Sequence, residues 1–584
     1  MLDFYDFEVF KYNWHVRIIN PVEKTSIGIW DDATAFTEYF EKHKDQIWIG
    51  YNNSRYDQYI AKGIMLGMNP KEINDWIIVK GIDGWQFSSA FNKITMINFD
   101  TMLRTDTGLK PLEAFMGNDI RETEVPFDID RPLNDKEKAQ TEFYCNHDVE
   151  QTIEVFLNRK AEFDAALDLV KIFKLPMTYM GKTGAQRVAK ILGGKRQSFD
   201  DDEFDFPIAP TLKLSKYKSL LNWYKKPENH DYSKSNVVDI CGIPHTLAWG
   251  GLHGATGEIQ HKKDKVIAKT IPYYGTGFFI MSDVTAYYPS LQLRYKFGYR
   301  NMANPENFEK IHGENLRFKK LGDKKARLPY KIADNAISGQ LKDPHSPLFD
   351  PRENNAVCVN GQLLLVDLLE KLEPYIELIQ SNTDGILFKM PVKYTLEKWY
   401  NLIDDIVWEW ENRTGMRMEF SLYTKVFQKD VNNYLLVGAD GKTKTKGAYT
   451  KSLSAIDNDL PIINIALVDY MTKGIPVETT IRNCKELKMF QKVIKLSGKY
   501  WRTWHNNKYM GEKCYRVFAS TKTSDTYIGK CKSKGATIEK FGNTPDHCFI
   551  DNTNVNDKII PDYLDYQWYI DLANKRLKQY GVAG

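Results

Sequence analysis

The chain has no apolar run of the roughly 18 residues that a membrane-spanning helix requires, so no membrane partner is expected of its 584 residues. Cysteine is scarce. The seven thiols, at 145, 241, 358, 484, 514, 531 and 548, are odd in number, dispersed, and nowhere at zinc-ligand spacing. A disulfide framework and a structural zinc site are therefore excluded as readings, and reduced thiols in a cytoplasmic compartment are expected. The opening MLDFYDFEVFKYNW lacks the basic-then-apolar order of a secretory signal, which agrees with a cytoplasmic location. Neither sign of charge dominates, because 80 Lys and Arg against 76 Asp and Glu leave +4. Composition does not single out a nucleic-acid binder, and any basic surface has to be local. Internal repeats and low-complexity tracts are missing too.

What is present is a well-cored composition, 42% hydrophobic and 13% aromatic, in a chain too long for one core. Up to about residue 185, strand-like and helix-like stretches alternate. YDFEVF and ITMINFD read as strands, ATAFTEYFEKHK and TEFYCNHDVEQTIEVFLNRKAEF as helices, and together they predict an α/β sheet domain. Residues 195–240, with SFDDDEFDFPIAP and YKKPENHDYSKS, read as an exposed connection. A β-rich region follows, from HTLAWGGLHGATGE to TGFFIMSDVTAYYPSL, and then a basic helical one over 305–345. Strand and helix patterns return from 360 to 475, where YIELIQSNTDGILFKM predicts a hairpin turning at its Asp-Gly pair. The last hundred or so residues are polar, rich in Lys and aromatics, and end in the helical DYQWYIDLANKRLKQY.

YDFEVF places Asp6 and Glu8 on one face of a strand. GYNNSRYDQYI adds Asn53, Tyr56 and Asp57, and FYCNHDVEQT adds Tyr144 and Asp148 at helical i,i+4 spacing. Each motif alone is commonplace. In this order, within one α/β domain, they resemble the three motifs of the proofreading 3′–5′ exonuclease of DNA polymerases and related nucleases. The resemblance implies that Asp6, Glu8, Asp57 and Asp148 hold two divalent ions about 4 Å apart for in-line phosphodiester hydrolysis. It implies that Tyr144 orients the attacking water, and that Asn53 and Tyr56 contact a single-stranded DNA 3′ end. TGLKPLEAF keeps Leu109 and Lys110 of a further strand-contacting motif but has Gly108 in place of Ser.

The second half carries SDVTAYYPSL, which resembles motif A of family B DNA polymerases. Asp283 and the Val284 carbonyl would bind metal. Tyr288 would close the space beside the sugar C2′, excluding ribonucleotides, and Ala286 stands where Ser is usual. YKIADNAISG resembles motif B, with Lys331 and Asn335 one helical turn apart. There Lys331, Arg327 and Lys320 would face the triphosphate of the incoming dNTP and neutralise charge on the departing pyrophosphate. Ala336 and Ser338 depart from the motif, and Pro329 predicts that the helix starts or kinks there. SNTDG falls at motif C, with Asp384 as the second acid but Asn382 in place of the first and Gly385 in place of Ser. WGGLHGATGE resembles the Tyr-x-Gly-Gly loop, which would set Trp249, Gly250 and Gly251 against template. DVNNYLLV and KTKTKGAYT supply Tyr434, Lys444 and Lys446 to hold the primer end, with Asn432 where Lys is expected.

The resemblance covers most of the chain. It implies a multidomain α/β and α+β fold, a ribonuclease H-like exonuclease domain followed by a right-hand polymerase of palm, fingers and thumb. The expected divisions are 1–188 exonuclease, 189–300 linker and first palm part, 301–360 fingers with a short insertion at 340–360, 361–475 second palm part, and 476–584 thumb. The short intervals between 283, 331 and 384 argue against the long insertion of protein-primed members. The expected activity is template-directed DNA synthesis with proofreading, of compact phage or plasmid replicase type. It would use two Mg²⁺ or Mn²⁺ ions per active site, with primer-template DNA and dNTPs as partners. An exonuclease whose polymerase half is degenerate and inactive is the alternative.

Overall fold

The alternation in the first strand, β1 (Leu2–Val9), sends its side chains into two different layers. Tyr5, Phe7 and Val9 enter a core with Phe36, Trp48 and Ile60, whereas Phe4 packs on the other side against Val149 and Phe156. Asp6 and Glu8 share the side of Phe4. The computed structural model describes residues 2–263, 265–391, 396–447 and 449–582. β1 lies centrally in a five-stranded mixed sheet of order β3-β2-β1-β4-β5. β2 (Trp14–Asn20) and β3 (Thr25–Trp30) run antiparallel in turn, while β4 (Ile47–Gly50) and β5 (Asn98–Asp100) run parallel. Helices α1 (Ala33–His43), α2 (Asp57–Met65), α3 (Leu109–Met116) and α4 (Asp135–Asn158) accompany the sheet. α4 starts at a capping box in which Asn134 and Glu137 satisfy each other's backbone amides.

This sheet belongs to one of two units, formed by Met1–Thr183, Leu453–Ile462 and Asn483–Tyr569. Residues 483–569, most of the expected thumb, thus fold with the N-terminal sheet. They build two small antiparallel sheets, one on Cys514–Ala519 and one on Arg502–His505. Arg516 fastens them down: wholly buried, it donates to the carbonyls of Ala114 and Asn118 at the end of α3 and to that of Thr553. A helix C-terminus leaves such carbonyls without intrahelical partners, and a guanidinium satisfies several at once.

The second unit comprises Gly184–Ser452, Ile463–Arg482 and Ile570–Gly584. Its frame is a nine-stranded antiparallel sheet of order β16-β15-β14-β11-β13-β12-β8-β7-β6. These are β6 (Asn236–Ile240), β7 (Ile243–Leu247), β8 (His253–Ala255), β11 (Tyr273–Val284), β12 (Glu377–Asn382), β13 (Gly385–Lys389), β14 (Met418–Asp430), β15 (Asn433–Val437) and β16 (Thr443–Lys446). A separate ribbon pairs β9 (Gly257–Lys262) with β10 (Lys265–Thr270). Helices α5 (Tyr287–Tyr295), α6 (Pro305–Leu321), α7 (Lys324–Gln340) and α8 (Pro351–Leu372) follow β11.

Three expectations change here. Pro329 does not start the helix: α7 begins five residues earlier, with Asp323 capping the Ala326 amide, and the proline is buried inside it. The segment expected as an insertion at 340–360 leads into α8, a 22-residue helix buried along most of its length. The connection over 195–240 is not a free linker. Asn360 accepts from the Ala209 amide and donates to the Pro207 carbonyl, Asp367 accepts from the Lys213 amide, and Glu370 accepts from those of Ser215 and Tyr217. α8 thus holds the strap through its own polar side chains. All seven cysteines are free thiols. Among the described residues no helix is long and apolar enough to cross a membrane.

Candidate active sites

In the first unit, the α4 side of β1 receives carboxylates from several elements. Asp6 and Glu8 come from β1, and Asp148 comes from α4, one turn after Tyr144. Asp57 is the first residue of α2, where its carboxylate accepts the Phe7 amide at 3.2 Å. β1 pairs with β4 only through Phe4, so this amide lies beyond the paired stretch. The expected acids are therefore brought together. Burial pushes Asp6 well up, and the charges of Asp57, Glu8 and Asp148 push the same way. Glu8 is raised by burial and by Asp148, and burial lifts Asp57 to about 7. Asp148 is raised by burial, against the opposing pull of Lys110 and a hydrogen bond from Tyr144.

Lys110 is the cation of this cluster. From α3 its ammonium reaches Asp148 at 2.5 Å and Glu113 at 2.9 Å, and it lies 4.8 Å from the centre of the Tyr144 ring. Burial would lower its pKa, but Asp148 and Glu113 outweigh that and raise it. Among the described residues, two ligand sets have donor atoms within 4.8 Å of one another, Asp6 with Glu8 and Cys145, and Glu113 with His147 and Asp148. Glu113, His147 and Cys145 were not singled out as site residues in the sequence. The i,i+3 spacing of Lys110 and Glu113 in LKPLE was a signal for that pair. Asn53 is buried and donates to the Phe99 carbonyl, the Tyr56 hydroxyl donates to Asn74, and Leu109 is half-buried at the start of α3.

In the second unit, Asp283, the penultimate residue of β11, lies between two neighbours. Gly385 of β13 lies opposite it on one side, and Glu419 of β14 on the other. The hairpin at SNTDG is real, but its turn residues are Thr383 and Asp384, because Asn382 pairs with Gly385. Thr383 takes a left-handed φ of 55°, as does Ala286 at 45° just before α5. The Val284 amide donates to the Asp384 carbonyl at 2.7 Å. Asp283, Val284, Asp384, Asn382, Glu419, Tyr434, Lys444, Lys446 and Lys319 all line one cavity of about 410 Å³. Burial and the charge of Asp283 raise Asp384, while Lys444 and Lys446 pull it down. Lys444 donates to Asp283 at 2.6 Å.

The helices after β11 meet this cavity unevenly. Lys319 of α6 ion-pairs with Glu419, whereas Lys320 is exposed beside it. Burial would raise Glu419, yet hydrogen bonds from Lys319 and Thr285 and the charges of Lys319 and Arg327 leave it lowered. Arg327 donates to Asn315 at 2.9 Å. Lys331 and Asn335 share the exposed face of α7, and neither lines the cavity. Tyr288 is half-buried against Gly361 of α8, close enough to feel the charge of Asp384. Glu419 had no motif to announce it; strand pairing alone sets it beside Asp283.

The loop between β7 and β8 backs the turn directly. The Thr383 amide donates to the Leu252 carbonyl at 2.7 Å, and a Cβ on Gly251 would lie 2.6 Å from the Thr383 hydroxyl. Gly250 has open space there, and its carbonyl accepts from the Gln362 amide of α8. Trp249, expected against template, is instead buried among Phe204, Phe206, Trp223 and Tyr224. His245, wholly buried, meets the Ser381 hydroxyl at 2.6 Å, and burial lowers its pKa to about 4.

The fold and these sites define a mixed α/β protein of two units with an acid-lined centre in each. No protein-family model matches the chain, and no curated sequence does. Among solved structures, it is similar to the family B DNA polymerase of the hyperthermophilic archaeon Pyrobaculum calidifontis. That similarity spans all of this chain and 78% of the other, at 11% identity and a TM-score of 0.43.

Proposed function

We propose that the chain is a DNA-dependent DNA polymerase of the family B type with a 3′–5′ exonuclease, serving phage genome replication. One observation carries the reading: both carboxylate sets, remote in sequence, are gathered by the fold into separate acid-lined centres with cations beside them. The centre of the first unit suits divalent ions, because its buried carboxylates raise one another's pKa and outnumber the Lys110 ammonium beside them. Two Mg²⁺ or Mn²⁺ ions per centre would activate the attacking oxygen and stabilise the leaving one.

In the polymerase centre, Asp283, Asp384 and the Val284 carbonyl would hold the ions. Tyr434, Lys444 and Lys446 hold the primer end, and Tyr288 screens the sugar. Lys319 and Arg327 neutralise the triphosphate together with Lys331 and Lys320, with Asn335 beside them, while Gly250 and Gly251 bring the β7–β8 loop to the template. In the exonuclease centre, Asp6, Glu8, Asp57 and Asp148 would hold the ions and Tyr144 orients the attacking water. Tyr56 and Leu109 steady the single strand, while the buried Asn53, expected to contact it, instead holds the turn before α2 to the Phe99 carbonyl of β5.

The test is a primer-template with Mg²⁺ and dNTPs. Wild type extends the primer and trims a 3′ single strand. Asp384→Ala abolishes extension and spares trimming, and the double substitution Asp6→Ala with Glu8→Ala does the reverse. Trimming without any extension by wild type favours the second reading, an exonuclease with an inactive polymerase half. Asn382, standing where an acid is usual, motivates that reading.

A further inference from the structure

Asn382 ends β12, two residues before Asp384. Its Nδ2 donates to the Val431 carbonyl at 2.9 Å, and its Oδ1 lies 3.4 Å from the Thr383 hydroxyl. A carbonyl oxygen only accepts, so the atom facing it has to be an N–H. An aspartate there would set oxygen against oxygen and leave the carbonyl unpaired.

The acceptor belongs to a tightly built turn between β14 and β15. Asp430 accepts from the Asn432 amide and from the Asn433 side chain, each at 2.9 Å. Gly447 comes so near that a Cβ on it would lie 2.3 Å from Asn433 Oδ1. From this turn runs β15, where Tyr434 stands opposite Lys446 and Leu436 opposite Lys444. The other flank of the Asp384 turn is held by β8 and its loop, through the Thr383 amide on Leu252. Asn382 is thus the side-chain tie from that turn to the hairpin whose strands carry Tyr434 and the two lysines.

We infer that Asn382 is a positioning residue and not a weakened ion ligand: its amide locks the turn bearing Asp384 to the hairpin bearing Tyr434, Lys444 and Lys446. The spacing of carboxylate and primer end then depends on a neutral donor. This rests on the polymerase reading above.

Asn382→Asp and Asn382→Leu both delete the donor, but only the first adds a charge that an ion would welcome. Three readouts separate the roles: Tm in EDTA, primer extension resolved into kcat and dNTP KM, and trimming by the same preparations. Both variants lower the metal-free Tm by about 2–4 °C. Both lower kcat about 10- to 100-fold with dNTP KM nearly unchanged, and trimming persists. Two results overturn the inference: Asn382→Asp extending as well as wild type, or at lower metal concentration, while Asn382→Leu fails; or both variants keeping the wild-type metal-free Tm. Failure of wild type to extend primers sinks the polymerase reading instead, while the metal-free Tm still reports the tie.

Discussion

Gly385 has no room for a side chain. A Cβ there would lie 2.2 Å from Asp283 Oδ1 and 3.3 Å from the Ser282 carbonyl. The sequence draws attention to this glycine as half of an Asp-Gly turn pair, yet its φ is not left-handed; Thr383 carries that strain instead. Its smallness serves the approach of two strands at the carboxylates. Gly385→Ala must therefore displace Asp283 or part the strands. Extension falls steeply, trimming survives, and stability drops by about 1–3 kcal/mol. Parallel activity assays and denaturant unfolding check this. Ala286 and Thr383, both at positive φ and each next to or near Asp283 or Asp384, show the same concentration of backbone strain at the centre.

At the scale of elements, α8 is the one the sequence hides. Asn354, Asn355 and Asn360 are poor helix formers, and they fall in the 340–360 stretch expected as an insertion. Its helicity is a tertiary matter: the Asn360 amide that weakens it locally satisfies the strap backbone at Pro207 and Ala209, and the following Leu-rich turns fill the core beneath the sheet. Asp367 is the heaviest of these ties. It is buried, accepts the Lys213 amide at 2.7 Å, and takes Arg413 in a two-pronged pair at 2.9 and 3.0 Å. Asp367→Ala takes the buried carboxylate from that guanidinium, leaves it the Glu409 pair at 2.8 Å, and costs about 3 kcal/mol. Asp367→Asn keeps an acceptor for the Lys213 amide and costs less. The unfolding midpoints of the two variants, compared with wild type, decide it.

Across the whole molecule, the two units differ in how they carry charge. The first buries Asp6, Glu8, Asp57 and Asp148 with raised pKa values. A carboxyl raised from 3.8 to about 7, as for Asp57, contributes stability that is full below about pH 4 and is lost as pH rises through 7. In EDTA the transition of this unit therefore moves to lower temperature between pH 4 and 7. Mg²⁺ reverses the loss, most at the upper end, by calorimetry with and without the ion. Asp6→Ala with Glu8→Ala raises the metal-free Tm and blunts the Mg²⁺ response. A pH-independent metal-free transition would refute the account.

Much of what gathers in the two acid-lined centres was legible because acids stand at short, regular spacings in the sequence. Asp6 and Glu8 share a strand face, Tyr144 and Asp148 share a helix face, and strand or helix period alone aligns them. The hairpin at 377–389 and the helices at 135–158 and 305–340 were equally local matters of apolar period and turn chemistry. What the sequence could not determine is what meets across the sheet. Glu419 beside Asp283, Lys110 upon Asp148, Gly251 under Thr383 and the Asn382 amide upon Val431 join residues whose spacing follows no period. Local propensity sets the elements, and only burial of their faces against one another decides which polar groups must find partners there.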